Sequence, residues 1–150
     1  MIRELKTSEL AILLDLYLHL HESDDPLPST DDVERLWNTI QENKGLKYLG
    51  YFYRDKLVSS CNLSIIPNLT RGCRPYCVIE NVVTHPQFRR MGFGKAILSQ
   101  ALKESWAAGC YKVMLLTGRR DEGTYKFYES AGFDINAKQA FVVKPKKDAE

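Results

Sequence analysis

The sequence predicts an α/β protein with a mixed, mostly antiparallel central sheet flanked by helices. Three observations carry that expectation. Strand-like segments separated by short turns succeed one another between residues 46 and 84, the pattern of an antiparallel meander. The β-branched run Val78-Ile79-Glu80-Asn81-Val82-Val83 then stops near Pro86 and gives way to a basic, glycine-punctuated turn and a long amphipathic helix. A second apolar run at 111–117, of the fully buried strand kind, follows that helix.

Taken in order, Ile2-Arg3-Glu4-Leu5 reads as a short opening strand. Thr7 supplies a capping signal with Glu9 in the first turn, and Leu10, Leu13, Leu14, Tyr17 and Leu18 recur at helical spacing to about Leu20. A polar break with two prolines follows, and Ser29-Thr30-Asp31-Asp32 opens a second helix with Val33, Leu36, Trp37 and Ile40 on one face. Residues 46–53 and 56–66 are strands joined by a tight turn at Arg54-Asp55. Residues 68–72 turn into a strand from about Pro75 to Thr84. Apolar residues at 93, 97, 98, 101, 102 and 106 place a helix over 93–108, ended by Gly109. Residues 118–123 form a loop, 124–131 a short helix, and 133–135 with 140–143 a final strand pair ahead of a polar tail. With no repeat or linker, residues 1–150 read as a single domain.

The chain has 150 residues, 44% hydrophobic and 27% charged, enough to bury a core without disulfides or metals. No apolar run approaches the roughly 20 residues of a membrane span and no signal-peptide pattern opens the chain, so a cytoplasmic protein is expected. A net charge of +2 is too small to point to nucleic acid or membrane partners. The cysteines at 61, 73, 77 and 110 form no Cys-x-x-Cys pair and have no histidines at zinc spacing, so no metal is expected. Nothing singles one of them out as a nucleophile. His19 and His21 stand among acidic residues, but such loops commonly serve local hydrogen bonding.

The chemistry concentrates at Arg89-Arg90-Met91-Gly92-Phe93-Gly94-Lys95. A glycine-bearing turn at a helix start lets backbone N–H groups converge on an anion, and the helix dipole adds attraction. Arg89, Arg90 and Lys95 add charge, which suits a pyrophosphate. These residues resemble the [Gln/Arg]-x-x-Gly-x-[Gly/Ala] loop of the GCN5-related N-acetyltransferases, and Phe127-Tyr128-Glu129-Ser130-Ala131-Gly132-Phe133 resembles a later motif of that family. The element order is similar along essentially the whole chain. The resemblance implies the acyl-CoA N-acyltransferase fold and acetyl-CoA as co-substrate, with pyrophosphate held by Arg89 to Lys95. It also implies main-chain contacts from Val82, Val83 and Thr84 to pantetheine and the thioester, and possible homodimers. The segment between the first two helices would border the acceptor.

Acyl transfer to an amine needs a base, stabilisation of the thioester oxygen, and a proton for the leaving thiolate. Glu80, in an otherwise apolar strand, is the candidate base, because partial desolvation would raise its basicity; its alternative is a solvated sheet-face carboxylate. The resemblance makes Tyr128 the candidate acid, with Tyr125 one turn earlier as a weaker cofactor-side residue. The family often has Asn where this chain has Asp121, which can accept but not donate as an amide would. Arg119 and Arg120 are candidates for a 3′-phosphate or an acidic acceptor.

The expectation is therefore an acetyl-CoA-dependent transferase acting on a primary amine, of a small molecule or of a protein, by direct attack in a ternary complex. The stretches 79–83 and 109–112 resemble the small-molecule branch that includes glucosamine-phosphate acetyltransferases, without fixing the acceptor. A non-catalytic acyl-CoA-binding module on the same fold is the alternative. A kinase-like P-loop is disfavoured by the lack of Gly-x-x-x-x-Gly-Lys-[Ser/Thr].

Overall fold

The structure, a computed structural model, describes residues 1–146, which fall into two compact units, Met1–Leu115 and a second beginning at Leu116. The first unit holds β1 (Ile2–Glu4), α1 (Leu10–Tyr17), α2 (Thr30–Glu42), β2 (Leu46–Tyr53), β3 (Lys56–Ile66), a helical turn α3 (Thr70–Cys73), β4 (Tyr76–Thr84), α4 (Phe93–Ala107) and β5 (Val113–Leu115). The second holds α5 (Glu122–Ser130).

The five strands lie in sequence order, β1-β2-β3-β4-β5. The first three pairings are antiparallel and β4–β5 is parallel. The predicted mixed, mostly antiparallel sheet is thus present. Arg54 (φ 48°) and Asp55 (φ 62°) both take the left-handed conformation, the geometry that a two-residue hairpin requires to match strand twist.

Strand alternation in β2 distributes its side chains to two faces. Tyr48 meets Trp37 edge-on at 5.2 Å between centroids, within a core cluster of Leu5, Leu13 and Trp37 flanked by Tyr17 and Phe52. The other face carries Lys47, which pairs with Glu104 of α4 at 2.7 Å, and Tyr51 and Tyr53, whose rings lie 4.7 and 5.2 Å from Phe93 of α4. Helices therefore cover both faces, and β3 between them is buried without a break from Val58 to Leu63.

Several expectations are corrected. The first helix ends at Tyr17, and residues 18–20 continue in tighter turns, with His19 N–H donating to Leu16 O at 3.1 Å. Thr7 makes no cap. Glu9 does this instead: its carboxylate accepts from Lys6 N–H at 2.7 Å and from the Arg3 guanidinium at 2.6 and 2.8 Å. Leu36 is exposed rather than facing the core. The last strand of the sheet spans only Val113–Leu115 and is half-buried, because it is an edge strand paired on one side alone. The final strand pair does not form among the described residues: Asp134 instead closes a turn by accepting from Asn136 N–H at 2.8 Å, and Phe141, Val142 and Val143 are exposed. The predicted polar tail lies in part, residues 147–150, outside the described residues.

Candidate active site

Strand β4 is irregular where the sequence looks smooth. Its register with β3 pairs Asn62 with Glu80 and Ser60 with Val83, so Asn81 and Val82 together oppose the single residue Cys61. Two residues against one is a β-bulge, and the extra residue leaves main-chain groups outside the ladder. Backbone direction agrees. Cys77 N–H donates towards β5, to Lys112 O at 3.0 Å, whereas His85 N–H donates towards β3, to Val58 O at 2.9 Å. An even separation along a regular strand would point both the same way. Asn81 absorbs the irregularity at φ 53°, a left-handed conformation that Asn tolerates better than most residues.

Pairing between β4 and β5 ends at Ile79 and Leu115, so residues 80–84 have no strand partner on that edge among the described residues. The bulge and the open edge coincide. Beyond them Ser59, fully buried, donates from its hydroxyl to Val83 O at 2.9 Å and lies 2.9 Å from Thr84 Oγ1, which re-fastens β4 to β3. The Val83 side chain is buried in the core, so Val83 can serve a ligand only through its backbone.

The basic turn connects this edge to α4. Arg89 donates from Nε to Thr84 O at 3.2 Å, and Arg90 (φ 61°) and Gly92 (φ 85°) are both left-handed. Gly92 is the N-cap of α4 and supplies no side-chain cap, so the first N–H groups of the helix, from Phe93 to Lys95, await an acceptor. A Cβ built on Gly92 meets nothing within 4 Å, so the turn is open beside the helix N-cap. Phe93 is 8% exposed and packs on Tyr51, Tyr53 and Phe88, anchoring the helix start. Its side chain is core and its N–H alone is offered. Arg90, Met91 and Lys95 are exposed. This cradle fits a pyrophosphate.

Glu80 lies at the bulge, but its side chain is exposed, so the desolvation expected for it is absent. In the second unit, Tyr128 is half-buried on α5 with its ring 5.0 Å from Phe127 and 6.3 Å from Phe133, and Tyr125 is also half-buried. Asp121 is the N-cap of α5: its carboxylate accepts from Thr124 N–H at 2.8 Å and from the Thr124 hydroxyl at 2.9 Å. Those bonds hold its carboxyl below the usual range and give it a structural task.

The thiols are free, and Cys61, Cys77 and Cys110 are buried. Burial pushes Cys61 up to about 12 and also raises Cys77 and Cys110, so these groups are protonated and poorly nucleophilic. His19 meets His85 edge-on at 4.5 Å, and desolvation followed by the charges of His19, Arg89 and Lys56 lowers the His85 imidazole. Among the described residues no group of three or more His, Cys, Asp and Glu is placed to hold a metal ion. No helix among them is long and apolar enough to cross a membrane. Sequence reasoning missed Asn62, Ser59 and the conformation of Asn81. An Asn inside a β-branched run was the available signal, because Asn accepts a left-handed backbone where Val does not.

A bulged strand with an open edge leads through a basic glycine turn to an uncapped helix start. The sequence profile of the acetyltransferase (GNAT) family matches residues 11–133. A glucosamine 6-phosphate N-acetyltransferase of Trypanosoma brucei brucei is 33% identical over 143 residues, covering 92% of this chain and 91% of that protein. Among solved structures, a protein of Agrobacterium tumefaciens str. C58 described as an acetyltransferase superposes with a TM-score of 0.90 at 39% identity, covering 97% of this chain and 99% of that one. An acetyltransferase of Trypanosoma brucei superposes at 0.79 and 31% identity, over 96% and 99% of the two chains. The chain belongs to the acetyltransferase (GNAT) family, and acetyl transfer to an amine is its chemistry.

Proposed function

We propose that the protein moves the acetyl group of acetyl-CoA to the primary amine of a small acceptor, by direct attack in a ternary complex, with an amino-sugar phosphate as the first acceptor to test. The observation that carries the co-substrate is the conjunction of the β4 bulge, the open edge at 80–84 and the uncapped start of α4. The acceptor class rests on the 33% identical relative, whose substrate is glucosamine 6-phosphate.

In this reading Arg89, Arg90, Lys95 and the N–H groups from Met91 to Gly94 hold the pyrophosphate, as charge-assisted bonds to a helix start do. Val82, Val83 and Thr84 guide the pantetheine arm through their main chain. Unpaired donors at the bulge stabilise the developing oxyanion. Glu80 takes the amine proton, directly or through water; its exposure in the free protein means that substrates covering it, not the resting fold, supply its desolvation. Tyr128 gives a proton to the thiolate, with Tyr125 beside it on the cofactor side, and Asp121 contributes by capping the helix that bears both. Residues 1–150 work as one catalytic domain in the cytoplasm, and the exposed Phe141, Val142 and Val143 favour a homodimer.

The test is thiol release from acetyl-CoA with a thiol-reactive dye, across amino sugars and their phosphates, polyamines, amino acids, aminoglycosides and short peptides. Acceleration by glucosamine 6-phosphate supports the reading in full, and acceleration by another class replaces the acceptor. Silence across the panel with acetyl-CoA still bound favours the non-catalytic binding module. Sedimentation of the same sample checks the dimer.

A further inference from the structure

The bulge in β4 is held by side chains that the acetyl-transfer reading does not use. Asn81 donates from Nδ2 to Asn62 Oδ1 at 2.9 Å, across the strand pair and directly beside the irregular register. Asn62 is 6% exposed and Asn81 half-buried, so this amide pair is partly shielded from water. Behind it, Tyr17 at the end of α1 buries its hydroxyl with the Asn81 side chain as a polar neighbour, outside strict hydrogen-bond geometry. Burial keeps this phenol well above its ordinary value, and the Asn81 amide, as a donor towards its oxygen, works the other way. The Asn81 amide nitrogen carries two N–H groups, so one can serve Asn62 while the other faces the Tyr17 oxygen. The groups are complementary, and their common member is the residue at φ 53°.

We propose that Asn81 is a positioning residue: its side chain, fixed by Asn62 and backed by the Tyr17 hydroxyl, holds the β4 bulge in the conformation that presents main-chain donors to the thioester carbonyl. The inference rests on the acetyl-CoA reading of the site. An isolated left-handed non-glycine residue persists only where its surroundings over-determine it. Asn62 and Tyr17 are those surroundings, drawn from β3 and α1, so the oxyanion donors are set by contacts on the sheet face away from α4.

The test compares wild type with Asn81→Gly, Asn81→Asp and Tyr17→Phe. Gly retains the left-handed backbone and loses the side chain. Asp retains the conformation but removes the N–H donor that Asn62 Oδ1 accepts. The readouts are the infrared band of carbonyl-labelled acetyl-CoA, affinity for CoA itself by calorimetry, and the melting temperature. In wild type the bound thioester carbonyl moves to lower frequency than in water. In Asn81→Gly that shift collapses and acetyl-CoA binding weakens on the order of five- to tenfold, the worth of one well-placed hydrogen bond, while CoA affinity stays within about twofold. Asn81→Asp, which lacks the donor to Asn62, loses the shift as Asn81→Gly does, and Tyr17→Phe gives an intermediate one without a lower melting temperature. An unaltered carbonyl band in Asn81→Gly, or equal losses for CoA and acetyl-CoA, overturns the inference and leaves the co-substrate standing. A wild type that binds neither overturns the acetyl-CoA reading and the inference with it.

Discussion

Substitution of Gly92 by Asp separates binding from folding at the anion cradle. A Cβ at Gly92 meets no atom within 4 Å, so no clash accompanies the change. The φ of 85° does carry a cost for an L-residue, about 1–2 kcal/mol. A carboxylate at a helix start returns about 0.3–1 kcal/mol, leaving a net folding loss of about 1 kcal/mol. Binding suffers more. A carboxylate about 4 Å from a doubly charged diphosphate is repelled by about 1 kcal/mol per charge at the dielectric of water and more where water is excluded. It also competes for the N–H groups of Phe93 to Lys95. A loss of about 2–4 kcal/mol follows, roughly 30- to 1,000-fold in acetyl-CoA affinity. Gly92→Ala supplies the strain without the charge and is expected to lose far less. Calorimetry with acetyl-CoA and a thermal melt of each protein decide the matter. Unchanged affinity in Gly92→Asp, or a loss no larger than that of Gly92→Ala, would refute the pyrophosphate assignment.

Tyr128→Phe is expected to lower turnover about 100-fold while acetyl-CoA affinity stays within about twofold, as removal of a general acid does; equal turnover retires Tyr128 from that role. Arg3, first through its hydrogen bonds, holds the Glu9 carboxyl down at about 2 from 4.5. A lowered carboxyl stabilises the fold above its unfolded value and loses that contribution as pH falls through about 2, so Glu9→Gln should cost on the order of 1 kcal/mol at neutral pH, after allowance for solvent screening. In urea titrations the gap between the two proteins should close between about 4.5 and about 2; a gap independent of pH contradicts this. At Gly50 a Cβ would lie 2.7 Å from both Leu5 Cδ2 and Leu57 Cδ1, so Gly50→Ala is expected to destabilise by about 1–3 kcal/mol in the same titrations.

Local chemistry explains what was legible in the sequence. The hairpin at Arg54-Asp55, the antiparallel meander and the start of α4 at Gly92-Phe93 each depend on a few consecutive residues and a regular period. The basic glycine turn ahead of α4 was legible for the same reason. The bulge was not, because it exists only in the register of Asn81 and Val82 against Cys61, a partner in another strand. The apolar neighbours of Glu80 suggest partial desolvation, with a solvated sheet face as the alternative; its side chain is exposed, because adjacent strand residues face opposite sides. The strands expected at 133–135 and 140–143 have suitable composition but no ladder to join among the described residues, and composition alone does not supply hydrogen-bond partners. Glu9 read as a first-turn acid, and its ion pair with Arg3 required the two to meet across a turn.

The sequential strand order also dictates how the protein assembles in time. Pairings from β2 to β4 join neighbours through short connections, whereas β1 meets β2 only across α1 and α2, and β5 reaches β4 only after the chain has passed through α4. Loop closure makes those two outer pairings slower than the hairpins between them. A folding nucleus built on the β2–β3–β4 hairpins would therefore precede the fork between β4 and β5. Substitutions at Val113 to Leu115 should quicken unfolding and leave the folding rate nearly untouched, whereas substitutions in β3 should slow folding. By the same logic acetyl-CoA, clasped at an edge completed late, should act as a brake on unfolding rather than as a guide to folding.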